Sequence, residues 1–246
     1  MIIKKLMYLN IVLLFFTKNY TINLQEAKQQ LSNENSFAIF QDSNNFDFEN
    51  IQINTNNSMI VNQSNKEISF PTEKVEAFFI DMGNDEITAH KITQKIEENL
   101  FDVKKNMPTS KMCGFFIAAE NEPHDSTFNH IDFSNCENSN NEDTVKHMRV
   151  LKFYKGKTTQ FAKISPEERI QFLYERCAEK NTNLKVKEFE TIVSKIITKD
   201  KIVQVQPGEG VIFYTHSAKN GAIHSRPADR KENYSPRLFI AIDFIE

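Results

Sequence analysis

A net charge of −3 over 246 residues excludes a chain-wide basic field, so nucleic acid is not an expected partner. The length and the 39% hydrophobic content are enough for one sizeable core. Cys113, Cys136 and Cys177 lie far apart with no CxxC pair, which argues against a zinc knuckle or a disulfide framework and predicts free thiols.

The chain opens with Lys4 and Lys5, followed by an apolar run from Leu6 to Phe16. That run is too short to span a bilayer and suits the apolar stretch of an export signal, although no small-x-small cleavage site follows. Residues 1–20 are read as a signal or as a buried first element. The first reading exports the chain and the second leaves it cytoplasmic. Membrane contact is expected only through this segment, if it is uncleaved.

Residues 21–110 read as an irregular N-terminal region with one helix. The Asn/Ser-rich part holds short alternating pieces, "FENIQIN" and "SMIVN", expected as edge strands joined by loops or as a semi-ordered arm. The helix follows Asn84 or Asp85 as cap, with Ile87, Ile92, Ile96 and Leu100 at rough helical spacing and Pro108 beyond its end. His90 on that helix is expected at the surface.

From residue 111 to 246 the pattern turns to strands. "KMCGFFIAAE" is a short apolar run bounded by polar turns, read as a buried strand. "FNHIDFS" leads into a polar loop, and "VKHMRVLKFYKG" and "KTTQFAKI" are strands joined near Gly156. Ser165, Pro166, Glu167 and Glu168 form a strong helix start, and that helix should run to about Lys180. A second helix is expected where Val186, Phe189, Val193, Ile196 and Ile197 share a face. These helices, near 165–198, interrupt the strands as an insertion. "DKIVQVQ", a turn at Pro207-Gly208-Glu209-Gly210, "VIFYTH", "AIHSR" and "RLFIAIDFIE" complete the chain.

Short strands in two groups predict a mainly β chain with added helices (α+β). Its core would be a double-stranded β-helix, a jelly-roll or cupin-like barrel, with the helices outside. On the last strand, Arg237, Phe239, Ala241 and Asp243 share one face, expected to line the barrel. Leu238, Ile240, Ile242 and Phe244 share the other, expected to pack on helices.

His130 and Asp132 stand two apart in a strand-like run, so both project to one side. Alone the pair is weak, and two polar residues bonded to each other explain it equally well. A third ligand would make a site. His224 in "AIHSRP" is the candidate, with His216 as its competitor; His124 and His147 have no comparable setting. Two His and one carboxylate on one side of a divalent ion leave the other side open.

With Arg237 opening the final strand, this arrangement resembles the iron(II)- and 2-oxoglutarate-dependent oxygenases. Their pattern is HxD, a long gap, His, and then Arg at the start of a last core strand. More narrowly it is similar to an uncharacterised bacterial domain-of-unknown-function family with "FHxDN", "RLxxTYxGxGT", "HRSP" and "RLLLxLD" segments. The counterparts here are "FNHIDFSN", "MRVLKFYKGKTTQF", "AIHSRP" and "RLFIAIDF". The likeness covers residues 111–244 and departs at "FNH", "HSRP" and "GKTT". It implies His130, Asp132 and His224 as ligands of Fe(II). It implies Arg237 as the partner of the distal carboxylate of 2-oxoglutarate, with Arg226 as alternative. Tyr154 and Thr158 would offer hydroxyls to co-substrate or substrate; strand packing and a turn hydroxyl are their alternative roles. The implied activity is oxidation of an unknown small-molecule or protein substrate. The rivals are a zinc- or manganese-dependent enzyme using the same triad, and a non-catalytic binding module.

Overall fold

The computed structural model describes residues 22–42, 50–62, 70–122, 130–132, 146–182, 186–215, 220–226 and 234–246. The leader reading of residues 1–20, His124 and His216 lie outside them. Among the described residues no helix is long and apolar enough to cross a membrane.

Two antiparallel sheets form the centre. The larger contains β1 (Phe37–Gln41), β2 (Asn57–Asn62), β3 (Lys111–Glu120), β4 (His147–Lys155), β7 (Glu209–Tyr214) and β9 (Arg237–Ile245), in the order β1-β7-β4-β9-β3-β2. The smaller contains β5 (Gln160–Ala162), β6 (Ile202–Gln204) and β8 (His224–Ser225), in the order β6-β5-β8. His130 extends it past β8 through a bridge to His224. From β3 onward the chain alternates between the sheets: β3 in one, His130 in the other, β4 back, β5 and β6 across, β7 back, β8 across and β9 back. That alternation defines the jelly roll expected from the strand spacing.

Each strand's alternation divides its side chains between two cores. Leu151, Val211, Phe213 and Ala241 from the large sheet meet Phe161, Val205 and Ala222 between the sheets. Leu238, Ile240, Ile242 and Phe244 face the other way, into a core shared with the helices. The two faces of β9 are thus divided as its alternation predicts.

The helices cover both outer faces. α2 (Thr72–Asp81) and α3 (Glu86–Asn106) pack on the large sheet through Val75, Phe78, Phe79, Ile92, Ile96, Leu100 and Val103. Asp85 caps α3 by accepting the Thr88 N–H at 2.7 Å. Ile87, expected on the buried face of α3, is 69% exposed, because the apolar stripe runs through Ala89, Ile92, Thr93 and Ile96 instead. His90 is at the surface, 2.5 Å from Glu76. On the smaller sheet, α4 (Pro166–Thr182) and α5 (Val186–Ile196) bring Phe172, Val193 and Ile196 onto Ala162, Ile164 and Ile223. Ser165 and Glu168 cap α4 reciprocally, at 3.0 and 3.3 Å.

The N-terminal region is more regular than its composition suggests. It holds α1 (Leu24–Gln30), α2 and α3 where one helix was expected, and it supplies both edge strands of the large sheet. "FENIQIN" forms no strand among its described residues; Ile51 and Ile53 are buried there as loop anchors of the helix-side core. Cys113, expected as a free thiol, is disulfide-bonded. It sits at the register shift between Met112 and Gly114 of β3. The side chains of Cys136 and Cys177 lie outside the described residues.

Gly156 turns the chain between β4 and β5 with φ +80°. A Cβ there would fall on the Pro236 carbonyl oxygen and the Arg237 backbone. Gly156→Ala is therefore expected to destabilise the fold by about 1–3 kcal/mol, from the left-handed backbone and the clash together. Urea denaturation would read this. A loss below about 0.5 kcal/mol would mean that the turn relaxes freely.

Candidate metal centre

His130 and His224 face each other across the smaller sheet. Each backbone N–H donates to the other residue's carbonyl at 2.9 Å. Directly opposed residues of an antiparallel pair project to the same side, so this bridge brings the two imidazoles together, with ring centroids 4.4 Å apart. Asp132, two residues on, follows to the same side, while Ile131 packs into the core beneath α4 and α5. Phe161 and Phe213 hold the His224 ring, with centroids at 5.3 and 5.1 Å.

The donor atoms converge. His130 Nε2 is 3.3 Å from Asp132 Oδ1, and His224 Nε2 is 3.3 Å from Asp132 Oδ2. One ligand atom from each residue lies within 4.8 Å of the others. Metal bonds of about 2.0–2.2 Å meeting at right angles put donors about 3 Å apart. These three residues form a group that could hold a divalent ion.

The hydrogen bonding of His224 sharpens this. Its Nδ1 lies 3.1 Å from the Ala222 carbonyl oxygen. That oxygen can only accept, so Nδ1 carries a hydrogen and leaves Nε2 turned toward Asp132. Nε2 lies 3.3 Å from a carboxylate oxygen. A proton or a metal ion can bridge these two atoms. A histidine that donates its far nitrogen to a carbonyl is the usual state of a metal ligand.

Asp132 has a second anchor. Arg149 Nη1 donates to its Oδ2 at 2.5 Å, while Arg149 Nε and Nη2 donate to Asp243 at 2.7 and 3.0 Å. Burial by itself would push the Asp132 carboxyl up. Hydrogen bonds from His130 and His224, and the charges of His224 and Arg149, outweigh it and hold that carboxyl well below the usual range. Burial also works against the Arg149 charge, and the two carboxylates, Asp243 first, more than restore it.

Arg237 lies on the barrel side of β9. Its Nη1 is 3.1 Å from Glu120 Oε2 and its Nη2 donates to Thr159 Oγ1 at 3.4 Å. Arg226 joins the same carboxylate at 2.8 Å and donates to the Glu122 carbonyl at 2.9 Å. This cluster is next to the triad: Arg226 is two residues beyond His224, about 7 Å along a strand. Thr159 directly precedes β5, whose Phe161 is the register partner of His224.

Tyr154 and Thr158 do not reach this cluster. Tyr154 faces the helices; its buried hydroxyl accepts from Asn99 Nδ2 at 2.9 Å, and burial pushes its pKa up. Its alternation on β4, opposite to Leu151 and Phe153, sets that direction. The Thr158 hydroxyl is occupied by the Val205 carbonyl and by Gln204 Nε2, the latter at 2.6 Å. Its neighbour Thr159 reaches Arg237 instead. The sequence reading missed Glu120, Arg149 and Thr159, and it placed Asp243 on the barrel-lining face without giving it a partner. For Arg149 and Asp243 a signal existed, since a charge on the inner face of an apolar strand demands an opposite charge.

No family model and no curated protein matches this chain. Among solved structures, a viral collagen prolyl hydroxylase from Paramecium bursaria Chlorella virus-1, in complex with 2OG, aligns over 86% of this chain and 96% of its own at 10% identity and a TM-score of 0.34. EvdO2 from Micromonospora carbonacea var. aurantiaca aligns over 92% and 91% at 10% identity and a TM-score of 0.38. At such scores the likeness carries no argument. The jelly-roll assignment rests on the strand order of this chain.

Proposed function

We propose that this chain is an iron(II)- and 2-oxoglutarate-dependent oxygenase acting on a small molecule or a protein side chain. The observation that supports this most is His224, whose Nδ1 is committed to the Ala222 carbonyl and whose Nε2 faces Asp132. His130, Asp132 and His224 would hold the iron, and three protein donors leave coordination positions for other ligands. Arg237 and Thr159 would hold the distal carboxylate of the keto acid. Arg149 donates to Oδ2 of Asp132, the oxygen that His224 also faces, and so orients that carboxylate, while Phe161 and Phe213 fix the His224 ring. When bound, iron and keto acid supply oxidation of a substrate C–H bond coupled to decarboxylation. The likeness to the uncharacterised bacterial family rests on the quoted segments alone.

One observation favours a second reading. Glu120 already engages Arg237, which suits a zinc- or manganese-dependent enzyme that needs no keto acid. The two readings separate in one experiment. Metal-free protein is loaded anaerobically with iron(II) and titrated with 2-oxoglutarate, following the metal-to-ligand absorption band. The expected result is a band in the wild type and its loss in Arg237→Ala with iron still bound. A band lost in Arg226→Ala but kept in Arg237→Ala would move the clamp to Arg226. No band in any variant would leave the metal-only enzyme or a binding module.

A further inference from the structure

The end of β3 places a carboxylate where an incoming acid would bind. Glu120 is the register partner of Arg237 across the β3–β9 pair. A single oxygen, Oε2, lies 3.1 Å from Arg237 Nη1 and 2.8 Å from Arg226 Nη1. Arg237 Nη2 turns to the Thr159 hydroxyl. One carboxylate bonded by two guanidiniums beside a hydroxyl is the arrangement a dicarboxylic ligand would itself make.

The three side chains differ in freedom. Those of Arg237 and Arg226 are 3% and 14% exposed, and that of Glu120 is 28% exposed. The guanidiniums are held in place, whereas the carboxylate lies on their more open side. It can turn outward without becoming a buried, unpaired charge.

We propose that Glu120 is a selectivity residue of the Arg237 clamp. Its carboxylate occupies the place of the distal carboxylate of a dicarboxylic keto acid and competes with it. This rests on the reading of Arg237 as the co-substrate clamp. Glu120 therefore weakens binding of keto acids that carry a second carboxylate and leaves those without one unaffected.

The test has two arms. In the first, metal-free wild type, Glu120→Gln and Glu120→Ala are titrated calorimetrically with glutarate, a dicarboxylate lacking the keto group. In the second, the iron(II)-loaded proteins are titrated anaerobically with 2-oxoglutarate and with 2-oxobutyrate, which lacks the distal carboxylate. Removing a competing charged contact is expected to tighten glutarate and 2-oxoglutarate about tenfold in both variants. 2-Oxobutyrate should be unchanged. Adding Arg237→Ala to Glu120→Gln should abolish the gain. Unchanged or weaker glutarate binding in both variants overturns the proposal and makes Glu120 a strut that orients the two arginines. A tighter glutarate arm with no keto-acid signal on iron would leave Glu120 on the clamp and sink the oxygenase reading instead.

Discussion

Replacing Arg149 by methionine is expected to destabilise the fold by about 3–5 kcal/mol, the usual effect of stranding a buried charge. Arg149 and Asp243 are register partners on β4 and β9 and point between the sheets. Their side chains are 5% and 0% exposed. The guanidinium holds Asp243 through both Nε and Nη2 and stacks over Phe116, 4.9 Å from the ring centroid. Methionine fills much of the space but donates nothing, so the Asp243 charge would be left inside the barrel. The double variant Arg149→Met/Asp243→Leu removes both charges and should recover most of the stability, because a buried ion pair is rarely better than well-packed apolar groups.

The same pair of variants separates stability from metal binding. Arg149 also donates to Asp132, so the double variant should fold well and still bind metal about 10–100-fold more weakly, as loss of a group that orients a ligand commonly does. Urea denaturation and metal titration give the two readouts. A single variant within about 1 kcal/mol of wild type would mean that water reaches Asp243 and solvates its charge.

The barrel was readable because its strands are short apolar runs bounded by turn signals. On β9 one set of side chains faces the inner core and the next faces the helices, so the sequence period and the burial agree. The helix after Ser165 was readable for a local reason, a cap and acids within one turn. The N-terminal region was harder. Its β1 and β2 are edge strands with one neighbour each, and their pairing comes from β7 and β3, far along the chain. α2 carried a signal that was passed over: Val75, Phe78, Phe79 and Met82 repeat at helical spacing behind Pro71. In the site, i and i+2 spacing foretells that His130 and Asp132 share a side. What brings His224 to them is the bridge across the smaller sheet, and no local pattern encodes that pairing. The exchange of Thr158 for Thr159 has the same origin: one residue of register decides which hydroxyl faces Arg237. Glu120 was invisible because a strand-end glutamate ordinarily faces solvent.

The largest functional effect should come from His130→Ala. The His130 side chain is 38% exposed, and its strand contact with His224 runs through the backbone. Removing the imidazole takes away its contact with Asp132 but leaves the Arg149 bond to that carboxylate, so the metal-free fold should lose no more than about 1 kcal/mol. Metal binding should behave oppositely. A metal ion at a hundred times its dissociation constant stabilises the native state by about 2.7 kcal/mol, and with one of three protein ligands gone that gain should vanish at the same concentration. Thermal melts with iron(II), manganese(II) and zinc(II), each compared with chelator, would read the difference. His224→Ala makes a useful contrast. That ring is wedged against Phe161 and Phe213, so its removal should lower both the metal-free stability and the metal-dependent gain. If His130→Ala keeps the full metal-dependent gain, the convergence of His130, Asp132 and His224 is a hydrogen-bonded cluster bridged by a proton, and the ion binds elsewhere. If the wild type shows no gain with any of the three metals, the proton is the only cation that the His224 and Asp132 acceptors share.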